Sequence, residues 1–94
     1  MRDSAATIVR LRLVYLARLR EAFSSSGETF DLAAHDAPTV GAVVAALRAR
    51  GGAFAGELAP GRAVRFAVNH RLARAEEPVA DGDEVAIFPP VTGG

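Results

Sequence analysis

Hydrophobic and polar residues alternate with a period of two in several short stretches of this chain. In the first stretch, Val9, Leu11, Leu13 and Tyr15 occupy every second position after residue 7. Such alternation, rich in β-branched residues, is typical of a strand with one buried face. Shorter stretches of the same kind predict four further strands, over residues 28–32, 64–68, 71–73 and 84–88.

A helical period separates the second predicted strand from the third. Apolar residues at positions i, i+3, i+4 and i+7 form one stripe there: Val40, Val43, Val44 and Leu47. Thr39 can cap the first turn with its hydroxyl, and Gly51-Gly52 ends the helix. Residues 17–23 and 53–59 predict two short helical segments. One main helix crossing a small mixed sheet indicates the α+β class.

The 94 residues are enough for one domain and one core. Residues 1–6 are polar or small and have no period, so we expect a flexible N-terminus there. Residues 7–88 contain the predicted elements of the domain, and residues 89–94 form an extended C-terminal tail. Without an apolar run of about 18–20 residues or a signal-peptide pattern, we expect a cytoplasmic protein with no membrane partner.

The amino-acid composition bears on three kinds of chemistry: nucleic-acid binding, cysteine chemistry and linkage through lysine. The formal net charge is zero, so bulk electrostatics do not predict nucleic-acid binding. The sequence has no cysteine, which excludes disulfides, thiolate metal sites and cysteine-based sulfur chemistry. All eleven basic residues are arginine, so the chain has no lysine side chain on which to build linked chains of itself.

Few side chains are candidates for catalysis or metal binding. We interpret His35 and His70 as exposed loop and turn residues, and two separated histidines make a poor zinc site. Asp81, Asp83 and Glu84 lack the spacing of a calcium-binding loop, and turn chemistry explains them better. We therefore predict no metal site and no active site of the chain's own.

The last six residues, Pro89-Pro90-Val91-Thr92-Gly93-Gly94, are the remaining candidate. Glycine lets a backbone approach another surface closely, and the two prolines favour extension because they remove backbone donors. Six extended residues reach roughly 20 Å, enough to enter a narrow cleft of a partner. The terminal carboxylate is unreactive until a partner activates it, for example as an acyl-adenylate made with ATP.

The segment from Asp81 to Gly94, DGDEVAIFPPVTGG, closely resembles the C-terminal signature of the small, sulfur-carrier subunits of molybdopterin synthase, a ubiquitin-like family. Three upstream segments are similar to positions of the same family: Arg20-Glu21, Pro38-Thr39-Val40 and Val68-Asn69. The resemblance covers the chain from about Ile8 to Gly94.

This resemblance implies a ubiquitin-like β-grasp fold with a free Gly-Gly tail. It also implies that an E1-like enzyme adenylates Gly94 with ATP and that a sulfur donor system converts it to a thiocarboxylate. The sulfur would pass to cyclic pyranopterin monophosphate inside the large, catalytic subunit, in a heterotetramer. Five residues would thread into the partners: Pro89, Pro90, Val91, Thr92 and Gly93. The chain itself would be non-catalytic and hold no permanent cofactor.

By the same resemblance, docking uses an apolar patch near the tail, for which Phe88, Pro89 and Leu72 are the candidates. The alternative for Phe88 is that its ring packs on its own sheet.

Two other functions stay open. One is sulfur carriage for thiamine, cysteine or thiolated-tRNA synthesis, although the Pro-Pro-Val-Thr stretch favours molybdopterin. The other is a ubiquitin-like protein modifier or binding module, in which the fold supplies only a docking surface.

Overall fold

The structure, a computed structural model, describes residues 7–34 and 37–90. The predicted flexible residues 1–6 and the tail residues 91–94 lie outside this part. The described elements, in chain order, are β1 (Thr7–Tyr15), α1 (Arg18–Phe23), β2 (Gly27–Ala34), α2 (Val40–Arg48), α3 (Gly52–Glu57), β3 (Arg65–Val68), β4 (Arg71–Ala73) and β5 (Glu84–Phe88).

The five strands form one mixed sheet in the order β2-β1-β5-β3-β4. β1 is antiparallel to β2 and parallel to β5, and β3 is antiparallel to both β4 and β5. The first and last strands of the chain therefore lie side by side in the centre. With α2 packed across one face, this is the predicted ubiquitin-like β-grasp architecture of the α+β class.

The core lies between α2 and the sheet. Its buried members are all apolar: Val9, Leu11, Leu13, Tyr15, Leu19, Phe23, Leu32, Val40, Val43, Val44, Leu47, Leu58, Val68, Val79, Val85 and Ile87. Both predicted periods are confirmed, because the alternating residues of β1 and the stripe of α2 are all buried. Burial of one large apolar side chain contributes about 1.5–3 kcal/mol, so this core is the main source of stability.

The start of α2 follows the predicted capping chemistry. The Thr39 hydroxyl accepts a hydrogen bond from the backbone N–H of Ala42 at 3.2 Å. The N–H of Gly41 donates to the carbonyl of Ala75 at 2.8 Å. These bonds satisfy donors that have no partner within the helix and attach its first turn to the loop before β5.

Several boundaries differ from the sequence prediction by a few residues. The main differences are that α2 ends at Arg48 rather than continuing to Gly51, and that β2 continues to Ala34 rather than ending at Leu32. The longer β2 pairs with β1 over eight residues, because backbone pairing with a long neighbour extends a strand beyond its apolar positions.

A polar network closes one end of the core. The buried Tyr15 hydroxyl donates to the carboxylate of Glu28, and Arg50 donates two hydrogen bonds of 2.8 Å to the same carboxylate. The Arg50 guanidinium lies 5.3 Å from the ring centre of Phe30 and 4.9 Å from that of Phe54. Hydrogen bonding to Arg50 lowers the pKa of Glu28, and burial raises the pKa of Tyr15. The network satisfies the buried hydroxyl of Tyr15.

Candidate functional site

β5 leads directly into the predicted reactive tail. Val85 and Ile87 are buried on the core side, whereas Phe88 is half-buried and ends the strand. Pro89 and Pro90 are also half-buried and belong to no strand. The strand therefore stops where the prolines remove its backbone donors. Residues 91–94 lie outside the described part, so the roles of Val91, Thr92, Gly93 and Gly94 stay predictions.

The side of the sheet opposite α2, here called the open face, carries an apolar strip across β1, β5, β3 and β4. Side chains of paired residues in neighbouring strands lie on the same side. The pairs Val14–Ala86, Ala86–Ala67 and Ala67–Leu72 are in register. Arg65 pairs with Phe88 and lies two residues from Ala67, so Phe88 also belongs to the open face.

Two of the three predicted docking residues, Leu72 and Phe88, therefore share one face. Leu72 is 80% exposed, so most of its side chain is available to a partner. Phe88 is half-buried on the same face, so its ring is partly covered by its own sheet and partly available. Their role in docking stays a prediction.

Leu16 is a candidate that the sequence prediction missed. It is 41% exposed, and its backbone N–H donates to the carbonyl of Ile87 at 3.2 Å, which places it beside the end of β5. The sequence signal that could have identified Leu16 is an apolar residue directly after Tyr15, where the alternating strand ends.

The acidic residues before β5 act in a turn, as predicted. The Asp81 carboxylate accepts from the N–H of Arg10 at 2.7 Å. The Asp83 carboxylate accepts from the N–H of Ala80 at 2.8 Å and from the Asn69 side chain at 2.9 Å. These carboxylates thus hold the turn and the start of β5 in place. Within residues 7–34 and 37–90, no three acidic, histidine or cysteine side chains cluster to hold a metal ion.

His70 lies in the two-residue turn between β3 and β4, as predicted. Both turn residues, Asn69 and His70, have positive φ, which matches the right-handed twist of a hairpin. The His70 side chain is 84% exposed, and its Nε2 lies 3.7 Å from the Glu84 carboxylate. His35 lies outside the described part.

None of the helices in residues 7–34 and 37–90 combines the length and the apolar composition that a membrane span requires.

Two relatives are similar over almost their whole length. The chain is 38% identical over 84 residues to the molybdopterin synthase sulfur carrier subunit of Escherichia coli (strain K12). This match covers 89% of this chain and 99% of the relative. It is 31% identical over 90 residues to the protein of the same name from Chlamydomonas reinhardtii, covering 92% of this chain and 100% of the relative.

Solved structures with the same fold have more than one named role. The small archaeal modifier protein 1 of Haloferax volcanii is 30% identical, with a TM-score of 0.62 over 88% of this chain and 99% of that one. A chain in the complex of subunits 1 and 2 of molybdopterin-converting factor from Helicobacter pylori 26695 is 22% identical, with a TM-score of 0.58. That match covers 92% of this chain and 100% of the other, and its likeness concerns the fold alone.

Family membership rests on a match that covers most of the chain. Residues 13–94 match the sequence profile of the ThiS family, from the last three residues of β1 through the last glycine. The matched segment includes every later element of the β-grasp domain and the Gly-Gly ending that follows it. This chain is therefore a member of the ThiS family.

Proposed function

We propose that this chain is the sulfur carrier subunit of a molybdopterin synthase. The observation that carries the proposal is the 38% identity to a protein of that name across 99% of the relative's length. The sequence ending in Pro-Pro-Val-Thr-Gly-Gly supports it, because this ending resembles the signature of those carriers.

In the proposed mechanism, the Gly94 carboxylate attacks ATP on an E1-like enzyme and forms an acyl-adenylate with release of pyrophosphate. A sulfur donor then displaces AMP and leaves a thiocarboxylate on Gly94. The large subunit would transfer this sulfur to cyclic pyranopterin monophosphate. Gly93 and Gly94 lack a Cβ, so a partner can close around the reacting carbonyl.

The folded domain would serve as the surface that partners hold. The half-buried Phe88 and the exposed Leu16 lie at the end of β5, where the tail begins, and the exposed Leu72 lies on the same open face as Phe88. An apolar patch at this position would bury itself against the large subunit while Pro89 and Pro90 direct the tail into its cleft.

Intact mass measurement tests the proposal. We expect that incubation with an E1-like activating enzyme, ATP and a sulfur donor increases the mass by the difference between sulfur and oxygen. Addition of the large subunit and cyclic pyranopterin monophosphate should then yield molybdopterin. A thiocarboxylate that forms without yielding molybdopterin would indicate a carrier for thiamine, cysteine or tRNA thiolation instead.

Protein modification is a second candidate, favoured by the 30% identity to the small archaeal modifier protein 1 of Haloferax volcanii. In this function the adenylated Gly94 would be joined to lysine side chains of other proteins. Conjugates on target lysines, with no mass change of the free chain, would support this candidate against sulfur carriage.

A further inference from the structure

We propose that Arg65 and Arg74 form a binding site for an acidic side chain of the large subunit, next to the apolar strip of the open face. The inference rests on the proposed function and names the electrostatic part of its docking surface.

The register of the sheet brings the two arginines together. β3 and β4 pair antiparallel, with Phe66 opposite Ala73 and Ala67 opposite Leu72. β4 ends at Ala73, so Arg74 is the first residue beyond this pairing, as Arg65 is on the β3 side. Arg65 also pairs with Phe88 on β5.

A surface groove joins the arginines to the predicted docking residue. Arg65, Leu72 and Arg74 line it together with Phe66, Ala73 and Glu77, and its volume is about 620 Å³. Leu72 is the most exposed large apolar side chain of the described residues. The groove therefore combines an apolar contact with two cationic groups.

Both arginines are available to a partner. They are exposed, and neither forms an ion pair with any residue in the ranges 7–34 and 37–90. Glu77 lines the same groove, but its carboxylate is not paired with either guanidinium. By contrast, Arg10, Arg18, Arg50 and Arg62 are each paired with a carboxylate of the domain.

Two guanidinium groups that line one groove repel each other. Within residues 7–34 and 37–90, neither of them forms an ion pair with a carboxylate that would offset this repulsion. Two guanidinium groups side by side match a carboxylate, which accepts hydrogen bonds from both. A protein carboxylate fits better than a small anion because Leu72 offers an apolar contact beside it, and arginine is enriched in protein interfaces.

The test measures affinity and stability on the same variant. Arg74→Glu should weaken binding of the full chain to the large subunit of its own molybdopterin synthase about tenfold at low salt, with a smaller loss at high salt. The same change replaces repulsion between Arg65 and Arg74 with attraction across the groove, so the melting temperature of the isolated chain should rise by about 1–5 °C. If Arg74 acted only by stabilising the fold, Arg74→Glu would change affinity and melting temperature in the same direction.

Three control variants complete the design. Arg74→Lys retains the charge and should keep affinity within about threefold, because a lysine still attracts the carboxylate but lacks the planar fork. Arg20→Glu changes the same charge on the exposed surface of α1 and should leave affinity unchanged. Leu72→Asp should weaken binding through the apolar strip and so reports on the docking face itself.

The outcomes separate the two proposals. If Leu72→Asp weakens binding and Arg74→Glu does not, the carboxylate site is wrong while the docking face stands. If the unmodified chain does not bind the large subunit, the proposed function fails and this inference fails with it.

Discussion

Glu28 has the most constrained carboxylate of the described residues. It accepts hydrogen bonds from the Tyr15 hydroxyl and from two nitrogens of Arg50, while its side chain remains 28% exposed. The hydrogen bonds to Arg50 lower its pKa in the folded chain, even though burial acts in the opposite direction. The ionised form is therefore bound more tightly in the folded state than in the unfolded one.

This pKa shift predicts an acid-dependent loss of stability. The contribution of Glu28 is fully present above its unfolded pKa of about 4.3 and is lost as the pH falls through the lower folded pKa. Glu28→Gln should reduce the free energy of unfolding at neutral pH by about 1 kcal/mol, a value discounted for partial exposure. It should also flatten the decline in stability as the pH falls below about 5. Urea unfolding across this range measures both effects, and parallel pH profiles for the two proteins would contradict the prediction.

At the scale of elements, the β1–β2 pair depends on a close backbone approach. Gly27 begins β2 opposite Val14, and its N–H donates to the Ser25 hydroxyl at 3.1 Å. A Cβ at this position would lie 2.2 Å from the carbonyl oxygen of Leu13. Since Leu13 belongs to the central strand, its backbone cannot move without disturbing the pairing with β5.

Gly27→Ala should therefore destabilise the domain by about 1–3 kcal/mol, as for other overpacked sites. Gly56→Ala is the matched control, because Gly56 lies in α3 and a Cβ there would meet nothing within 4 Å. That control should stabilise the domain by up to about 1 kcal/mol through helix propensity. Equal effects of the two changes in chemical unfolding would refute the steric argument.

At the scale of the molecule, folding and the proposed chemistry use different parts of the chain. The buried core residues lie between Val9 and Ile87, and β5 ends at Phe88. The proposed reactive group is six residues further along, on Gly94. The domain would thus position a tail whose chemistry is carried out by its partners.

Deleting Gly94 should therefore abolish thiocarboxylate formation while changing the melting temperature by less than about 1 °C, because the core of the described residues runs only from Val9 to Ile87. Intact mass after incubation with the activating enzyme and sulfur donor measures the first effect, and calorimetry measures the second. A large fall in melting temperature would show that the tail contributes to the fold.

Much of the fold was predictable because burial follows local periods. The alternation along β1 and the i, i+3, i+4, i+7 stripe of α2 identified buried residues that the structure confirms. The Thr39 cap and the Asn69-His70 turn were also predictable, because each depends on a few adjacent residues. The extension of β2 to Ala34 was missed, since it depends on pairing with a distant strand.

By itself, the sequence determined the elements, their buried faces and the Gly-Gly ending on which the functional proposal depends. Only the tertiary structure decided which distant residues meet: Leu16 beside the end of β5, Glu28 with Arg50, and Arg65 with Arg74 in one groove. The physical reason is that strand register and the parallel pairing of β1 with β5 arise from contacts between segments about 70 residues apart, which no local period encodes.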